Sequence, residues 1–496
     1  MSDNEGAALL REIIMQYLGF EVYEKSINKS GCDKPVEVFI AKKKLLEKPS
    51  DFLVINLKNG KNPGFIGENI TDDMIKAPLS HKNAEVLRKL FPFTAPSRVL
   101  GKERSFGLGD RLGIATPGHI KLFEKYDAYP VFAQQSIREL NLTNRSYEDV
   151  LDAATFAVFR EGFKKEWGAD GDHLKTVNDV KYALSLGFTM ITLDCSDHIK
   201  NDINAANAPL PPRKIIQKYL GKQFDIGEGI ILTFTEEELK TIYGIYGKAI
   251  SFAIDMYRRF FKHGKYNADF EISIDETSTP TTPLQHYFVA RELIDSGVSF
   301  ATIAPRFCGE FQKGVDYSGS LDQFGKEIKV HAIIARHFKY KLSIHSGSDK
   351  FSVFPSIGTE THNVFHVKTA GTNWLEAMRV VTQVDPALYK EVHKYALSVF
   401  NEARKYYHVT TKLANIPDVD SLANEELPKL FENNDSRQLI HITYGFILNK
   451  KNSTNETDFT FKDRLYNLWQ KHEDLYNQAL LRHIGKHLDL LGVKQV

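Results

Sequence analysis

The feature of this sequence that most restricts its fold is an eightfold alternation between residues 104 and 372. Short apolar segments alternate there with helical ones, and each short segment ends in a cluster of polar residues. The segments predicted as strands are 105–111, 129–135, 167–175, 188–197, 269–277, 299–307, 340–349 and 363–371. Strict alternation of strand and helix indicates a parallel α/β sheet, and eight repeats favour closure into a (β/α)8 TIM-like barrel. An open doubly wound sheet is the structural alternative.

The intervening helices have recognisable ends. Thr282 is typical of an N-cap, Pro283 of a first helical turn, and Gly297 of a helix C-terminus. Another helix is predicted to start at Tyr147 and to run towards Gly162. These ends support the assignment of helices between the strands.

Three regions fall outside the eightfold pattern. Residues 1–100 predict an N-terminal α+β extension, and 374–496 a mostly helical C-terminal region packed on the barrel of 101–373. Residues 199–268 predict a helical insertion after the fourth strand. An insertion at that place would lie over the catalytic end of a barrel and serve as a lid.

Charge and cysteine content exclude several classes of protein. With 64 basic and 63 acidic residues, the chain lacks the electrostatic footprint of a protein that binds nucleic acid or an anionic membrane. The first twenty residues predict an amphipathic helix rather than a signal peptide, and no apolar run is long enough to span a membrane. Cys32, Cys195 and Cys308 form no CxxC pair, which disfavours a disulfide framework. We therefore expect a cytoplasmic protein.

Alternation along the strands predicts which side chains line the barrel interior. In the seventh strand Leu342 and Ile344 are apolar and face the outer helices, so Ser343 and His345 face inwards. The same reasoning points inwards the residues Thr192, Asp194, Ser273, Asp275, Arg306, His366 and Lys368. Charged groups gathered in one pocket need a ligand, a metal or each other, because an unpaired buried charge is costly. The strand ends therefore predict a functional site.

Two histidines at these strand ends have the composition of a metal site. His173 ends the third strand and His345 the seventh, and Asp275 and Glu276 lie between them on the fifth. Imidazole with carboxylate suits a divalent metal ion, zinc, manganese, cobalt or nickel, acting as a Lewis acid. Strand parity favours Asp275 as the inward group, but strand ends bend, so either carboxylate can be the ligand.

The positive residues at the strand ends predict a polar, sugar-acid-like substrate. Lys175, Arg306 and Lys368 are candidate anion binders, although each could instead pair with a neighbouring aspartate. The other predicted substrate contacts are Gln134, Asp194 and His366. We expect no dinucleotide, because the glycines from Gly107 to Gly113 follow GxGxxxG spacing and the next strand lacks a terminal acidic residue.

The layout resembles that of class II, metal-dependent aldolases. Those enzymes place an Asp-His pair after the third strand, matched here by Asp172 and His173, and a His-Gly-x-Ser motif after the seventh, matched loosely by His345-Ser-Gly-Ser. The resemblance implies that His173 and His345 are ligands and that Asp172 carries a proton. Arg306 stands where those enzymes use a further histidine, so a carboxylate of the fifth strand, Asp275 or Glu276, is the expected third ligand.

Longer motifs resemble one family in particular. The stretches SFGLGDRLGIATPGHI, YPVFAQQSIREL, GADGDHLKT, ITLDCSDHI, SIDETSTPTTP, IHSGSDKFSVFPSIGTETH and FHVKTAGTNWLEA are similar to those of the tagaturonate epimerase family, as is SRQLIHITYG near the C-terminus. The resemblance implies interconversion of D-tagaturonate and D-fructuronate with a divalent metal. Related enzymes can be turned towards fructose and tagatose. A homo-oligomer is compatible with these features.

The implied reaction suggests a mechanism. The inverted carbon is β to the ketone, so simple enolisation cannot remove its proton, whereas a retro-aldol step followed by re-addition can invert it. Asp172 or Asp275 would shuttle the hydroxyl proton, and an anion pocket of Arg306, Lys175 or Lys368 would retain the carboxylated fragment. The alternatives are a class II aldolase or sugar isomerase, and a sugar-acid-binding regulatory protein without catalysis.

Overall fold

A computed structural model describes residues 19–31, 35–43, 51–57, 60–451 and 460–496. The helix predicted at the start of the chain and Cys32 lie outside these ranges. The described strands are β1 Phe20–Val22, β2 Asn28–Lys29, β3 Glu37–Lys43, β4 Asp51–Asn56, β5 Glu68–Thr71, β6 Met74–Pro78, β7 Arg104–Gly109, β8 Tyr129–Ser136, β9 Gly168–Leu174, β10 Met190–Asp194, β11 Gln223–Gly227, β12 Ile230–Thr233, β13 Asp269–Ile274, β14 Thr302–Pro305, β15 Lys341–Ile344 and β16 Phe365–Ala370.

The helices separate the strands in the order that the sequence predicts. They are α1 His81–Leu90, α2 Thr116–Phe123, α3 Ile137–Thr143, α4 Tyr147–Glu161, α5 Val177–Leu186, α6 Arg213–Tyr219, α7 Glu236–Phe260, α8 Pro283–Asp295, α9 Leu321–Phe338, α10 Phe354–Glu360, α11 Thr372–Val384, α12 Pro386–Ala403, α13 Asn434–Asn449, α14 Phe461–Lys471 and α15 Glu473–Leu490. No helix among the described residues is long and apolar enough to cross a membrane.

Eight parallel strands form a closed barrel, which confirms the predicted fold. The strands follow one another in chain order from β7 to β10 and from β13 to β16, and β16 closes the barrel by pairing with β7. Phe365 pairs with Arg104 at one end of that seam and Ala370 with Gly109 at the other. Because all strands run in one direction, their carboxyl ends form a single rim, where barrel enzymes carry their sites.

Most barrel strands end before the boundaries that the sequence predicted. The fifth stops at Ile274 and the seventh at Ile344, so Asp275 and His345 belong to the loops that follow. The helix ends agree with the prediction: Thr282 and Gln285 form a capping box at the start of α8, and Gly162 ends α4 with a φ of 63°. Short strands and capped helices leave the polar strand ends free to form a site.

The N-terminal strands build an antiparallel sheet beside the barrel. Their order is β1-β3-β4-β6-β5, with β2 paired to β3. Apolar side chains of this sheet and of α1 pack on Phe156 and Phe159 of α4. The sheet thus lies against an outer helix of the barrel.

The insertion after β10 is not purely helical, and part of it packs on the outside of the barrel. It contains the hairpin β11–β12 between α6 and α7. Tyr219 packs on Phe288 with ring centroids 5.0 Å apart, and Phe224 packs on Tyr287 at 5.2 Å. Both partners belong to α8, so these aromatic contacts hold the hairpin on the outside of the barrel instead of over the strand ends.

Candidate active site

A cavity of about 470 Å³ opens at the carboxyl ends of the barrel strands. Residues at or just after the ends of β8, β9, β10, β13, β15 and β16 line it, and a second cavity of about 440 Å³ adjoins it and shares His345 and Lys313. A larger cavity, about 700 Å³, lies between the N-terminal sheet, α4 and the C-terminal helices. We place the chemistry in the rim cavity, because it gathers both predicted histidines with carboxylates.

His173, Asp275 and His345 meet at this rim. Their ligand atoms lie within 4.8 Å of one another. Asp275 Oδ1 is 3.1 Å from His345 Nδ1 and 4.0 Å from His173 Nε2, and the two ring centroids are 4.9 Å apart. His173 adopts a φ of 54°, which is uncommon for a residue other than glycine. Two imidazoles and one carboxylate form a donor set that fits a divalent transition metal.

Each of these histidines has a second carboxylate on its other ring nitrogen. His173 Nδ1 lies 2.8 Å from Asp172 Oδ1, and His345 Nε2 lies 2.8 Å from Glu271 Oε1. A carboxylate only accepts, so each imidazole donates there. His345 also donates from Nδ1 to Asp275 Oδ1 at 3.1 Å, whereas His173 turns its Nε2 towards Asp275 at 4.0 Å, beyond hydrogen-bond distance. Carboxylate partners of this kind fix the tautomer and orientation of histidines that bind metals.

Lys368 joins these outer carboxylates and is fully engaged by them. Its ammonium lies 2.6 Å from Asp170 Oδ2 and 3.4 Å from Glu271 Oε1, and it also contacts Asp172. It donates to Thr192 Oγ1 at 2.7 Å as well. Although burial opposes the charge, these carboxylates hold the pKa of Lys368 well above its usual value. Lys368 therefore holds these carboxylates together beneath the site. It is not free to bind a substrate anion, which was one of the two roles predicted for it.

The carboxylates and imidazoles of the site perturb each other. Burial would lower the pKa of His345, but Asp275 and Glu271 raise it to about 10. Burial would raise the pKa of Asp275, but the charge on His345 lowers it below its usual range. Burial raises the pKa of Asp170 to about 6 against the opposing effect of Lys368. Such displaced pKa values are typical of functional sites.

Glu276 lies next to the donor set, but its side chain is less buried than that of Asp275. Its side chain is 45% exposed, and its Oε1 is 4.0 Å from His173 Nε2. It lines both rim cavities, as does Asp275. The geometry therefore favours Asp275 as the third donor and leaves Glu276 as an accessible carboxylate.

The other predicted substrate contacts are divided between the cavities. Gln134 lines the main cavity and donates to the Thr369 carbonyl at 3.1 Å. Lys175 and Asp194 also line it, but Lys175 is paired with Asp197 at 2.7 Å. These contacts place Gln134 and Asp194 where a substrate can reach them.

Two predicted contacts lie elsewhere. Arg306 lines only the adjoining cavity and donates to the Thr277 carbonyl. His366 does not reach the rim, because it lies at the start of β16, in register with Ser343 and Ser105. Its Nδ1 contacts Ser105 Oγ at 2.9 Å, and burial lowers its pKa to about 3. His366 is therefore a neutral residue of the barrel interior.

Several residues of the site escaped the sequence analysis. Strand parity points to Glu271 and Asp170, since they share a face with Asp275 and Asp172, but their depth in the barrel hides their link to the histidines. Lys313 and Ser346 lie in loops, and Arg138 lies in the first turn of α3, so no periodicity marks them. All of the last three line the rim cavity.

A second group with ligand-like composition, Asp349, His483 and His487, is already satisfied internally. Asp349 is paired with Arg437 at 2.9 Å and with His483 at 2.5 Å. His487 accepts from the Asp349 N–H at 3.0 Å and donates to the His483 carbonyl at 2.8 Å. With an arginine present and both nitrogens of His487 used, this cluster is a structural network.

Comparison with known proteins gives one consistent family. Residues 23–491 match the family model described as tagaturonate epimerase, UxaE. A Thermotoga maritima protein named tagaturonate/fructuronate epimerase is 42% identical over 485 residues, which cover 95% of this chain and 97% of that protein.

Solved structures agree with this result. A glycerol complex of fructuronate-tagaturonate epimerase from Cohnella laeviribosi is 44% identical, with a TM-score of 0.90 over 99% of this chain and 100% of that one. The native form of the same enzyme is 45% identical, with a TM-score of 0.90 over 98% and 99%. These matches confirm the predicted resemblance, and the chain belongs to the tagaturonate epimerase family.

Proposed function

We propose that this protein is a metal-dependent epimerase that interconverts D-tagaturonate and D-fructuronate, and that it also accepts the neutral ketoses tagatose and fructose. The family match supports the substrates. The observation that carries the metal dependence is the convergence of His173, Asp275 and His345, each histidine held by its own buried or partly buried carboxylate.

His173, Asp275 and His345 would hold the divalent ion. Bound there, the ion supplies Lewis acidity that stabilises negative charge on the ketone oxygen of the substrate. The chain contributes the orientation of both imidazoles, through Asp172 and Glu271. Gln134 and Asp194 face the same cavity and are placed to bind sugar hydroxyls.

The inversion is proposed to proceed by retro-aldol cleavage and re-addition. A carboxylate takes the proton from the hydroxyl on the carbon to be inverted. The bond from that carbon towards the ketone breaks, its electrons become an enediolate, and the hydroxyl carbon becomes an aldehyde. The aldehyde turns over, the carbon–carbon bond re-forms on its other face, and the proton returns to the oxygen. No oxidant or reductant is needed.

Glu276 is the carboxylate that the contacts favour as proton carrier. Asp275 belongs to the donor set, and Asp172 already accepts from His173 and Lys368. Glu276 is partly exposed and lies at the edge of that set. Asp275, which the sequence left open as proton carrier or third ligand, is thus the ligand in this proposal, and Glu276, the other candidate ligand, carries the proton.

The proposal is tested by incubating the purified protein with D-tagaturonate and following products by NMR. Fructuronate should form, stop after chelation and resume when zinc, manganese, cobalt or nickel is added. A carbonyl-trapping reagent present during turnover should capture some of the aldehyde fragment, and Glu276→Gln, which lacks the proposed proton acceptor, should yield less of it. Net release of that fragment by the wild type would identify an aldolase. Turnover of bound NAD without any trapped aldehyde would indicate transient oxidation.

A further inference from the structure

The cations of the rim cavity differ in whether their charge is already neutralised. Lys368 is surrounded by buried carboxylates, and Lys175 pairs with Asp197 at 2.7 Å and lies 3.7 Å from Asp194. Both lysines therefore lack free charge for an incoming anion.

Lys313 and Arg138 are different. Among the residues that the structure describes, neither has a carboxylate within ion-pair distance. Lys313 donates to Ser346 Oγ at 3.1 Å. Arg138 is exposed, with a long 3.5 Å contact to the Tyr406 carbonyl and its guanidinium 4.9 Å from the ring centre of Tyr407. Both side chains line the rim cavity and the adjoining one, so they mark the boundary between the two.

The segment that carries Lys313 is held from both sides. Lys350 donates to the Gln312 carbonyl at 2.8 Å, and Arg437 donates to the Gly314 carbonyl at 2.7 Å. These two bonds fix the backbone on either side of Lys313. A loop lysine fixed in this way is preorganised, which reduces the entropy lost when a ligand binds.

Lys313 is partly dehydrated, and the charge that acts on it most strongly is that of Arg138. Burial lowers the pKa of Lys313, and the neighbouring charge of Arg138 lowers it further. Two acidic residues face the same wall, Glu139 and Glu276. Glu139 is paired with Arg111 at 2.9 Å, so it does not neutralise Lys313. An anion bound between Lys313 and Arg138 would relieve this unfavourable arrangement.

The position of Ser346 relates this pair to the proposed chemistry. Ser346 follows His345 directly and adopts a φ of 50°, a conformation rarely found in residues other than glycine. Strained backbone of this kind is concentrated at binding sites. The ammonium of Lys313 is thus attached, through one hydrogen bond, to the residue next to a proposed metal ligand.

We propose that Lys313, Arg138 and Ser346 form the subsite for the substrate carboxylate. This inference rests on the proposed function, and it replaces the anion pocket of Arg306, Lys175 and Lys368 predicted from the sequence. With the ketone bound at His173, Asp275 and His345, a substrate that spans the rim cavity would place its far carboxylate at the wall formed by Lys313 and Arg138. The subsite keeps the carboxylated aldehyde fragment in place while it turns over.

The test compares D-tagaturonate with D-tagatose, which has a hydroxymethyl group in place of the carboxylate. Lys313→Met and Arg138→Gln should each lower kcat/KM for tagaturonate by about 10- to 100-fold, the range expected for loss of a charge-assisted hydrogen bond. Turnover of tagatose, or its inhibition constant against tagaturonate if turnover is too slow, should change by less than about threefold. Lys313→Arg should keep most of the preference for tagaturonate over tagatose that Lys313→Met loses.

Lys175→Met provides the comparison, because it removes a lysine of the same cavity whose charge is already paired. This variant should change kcat/KM for tagaturonate and turnover or inhibition by tagatose by the same factor. Arg138 is exposed, so its replacement tests the subsite even if Lys313→Met folds poorly. The subsite is overturned if Lys313→Met and Arg138→Gln affect both sugars equally, or if Lys175→Met alone abolishes the preference. Absence of epimerisation by the wild type would instead refute the proposed function.

Discussion

The ring centroids of His173 and His345 lie 4.9 Å apart at the rim of the barrel, and each ring turns one nitrogen towards Asp275. The other nitrogen of each ring meets a separate carboxylate, Asp172 for His173 and Glu271 for His345. The site therefore has an inner layer of His173, His345 and Asp275 and an outer layer of Asp172 and Glu271. The effect of the outer layer on metal binding can be measured.

Glu271→Gln should weaken metal binding while leaving the three proposed ligands in place. The change removes the carboxylate that accepts from His345 Nε2, so the imidazole is less firmly oriented and less basic. Loss of such a partner typically lowers metal affinity by about 10- to 100-fold. Competition with a chromophoric zinc chelator measures the affinity directly.

Asp194→Asn is the control for this prediction. Asp194 is a buried carboxylate at a neighbouring strand end, where it accepts from the Ser196 N–H at 2.8 Å and contacts neither histidine. Its replacement should leave zinc affinity unchanged. Equal zinc affinity in Glu271→Gln and the wild type would show that Glu271 has no part in holding His345 for the metal.

Lys368→Met should strongly destabilise the metal-free protein. It removes the cation shared by Asp170, Asp172 and Glu271 and leaves these buried carboxylates without it. Breaking a buried ion pair from one side costs about 3 to 5 kcal/mol. The free energy of unfolding in urea measures this cost.

Lys175→Met is the control for Lys368→Met, because it removes another lysine of the same cavity. Its side chain is 37% exposed and its partner Asp197 is 63% exposed, so the loss should be no more than about 1 kcal/mol. If the two variants lose the same stability, the carboxylates around Lys368 are not held as buried charges.

Stability should depend on pH through Lys341, a lysine at the base of the barrel. Its ammonium donates to the Lys102 carbonyl at 2.7 Å and to Ser105 Oγ at 2.8 Å. Burial lowers its pKa from 10.5 to about 7. Between these two values the unfolded chain binds more protons than the folded one, so this residue makes stability rise with pH, by up to about 1.4 kcal/mol per unit. Below about pH 7 both states are protonated and the slope disappears.

Urea unfolding of the wild type and Lys341→Met at pH 6, 7, 8 and 9 isolates this contribution. The stability of the wild type relative to the variant should be constant from pH 6 to 7 and should increase from 7 to 9. A constant difference across the whole range would mean that Lys341 keeps an ordinary pKa in the folded protein.

The sequence identified those site residues that follow the alternation of inward and outward side chains along a strand. Alternation in the seventh strand singled out His345, and alternation in the fifth singled out Asp275, because inward positions are fixed by the pleat. Lys368 was also correctly turned inwards. Of its two predicted roles, anion binding and pairing with an aspartate, the structure shows the second, which the sequence could not decide because it does not show which carboxylates lie across the barrel. The ion-pair partners of Lys368 belong to other strands of the barrel, so the sequence of its own strand does not reveal them.

Loops carry no such signal. Lys313 lies between β14 and α9, and its position depends on hydrogen bonds from Lys350 and Arg437, which are distant in sequence. The hairpin β11–β12 in the insertion was missed for a related reason. Tyr219 and Phe224 are apolar anchors for α8, but their partners become visible only in the folded structure.

Epimerisation is proposed to depend on a divalent metal held by His173, Asp275 and His345. The most direct measurement is the metal-to-chain ratio of purified wild type, His345→Ala and Glu276→Gln, determined by mass spectrometry of the elements. About one divalent ion per chain is expected in the wild type and in Glu276→Gln, and none in His345→Ala. Full metal content in His345→Ala, together with undiminished conversion of tagaturonate to fructuronate, would contradict this proposal.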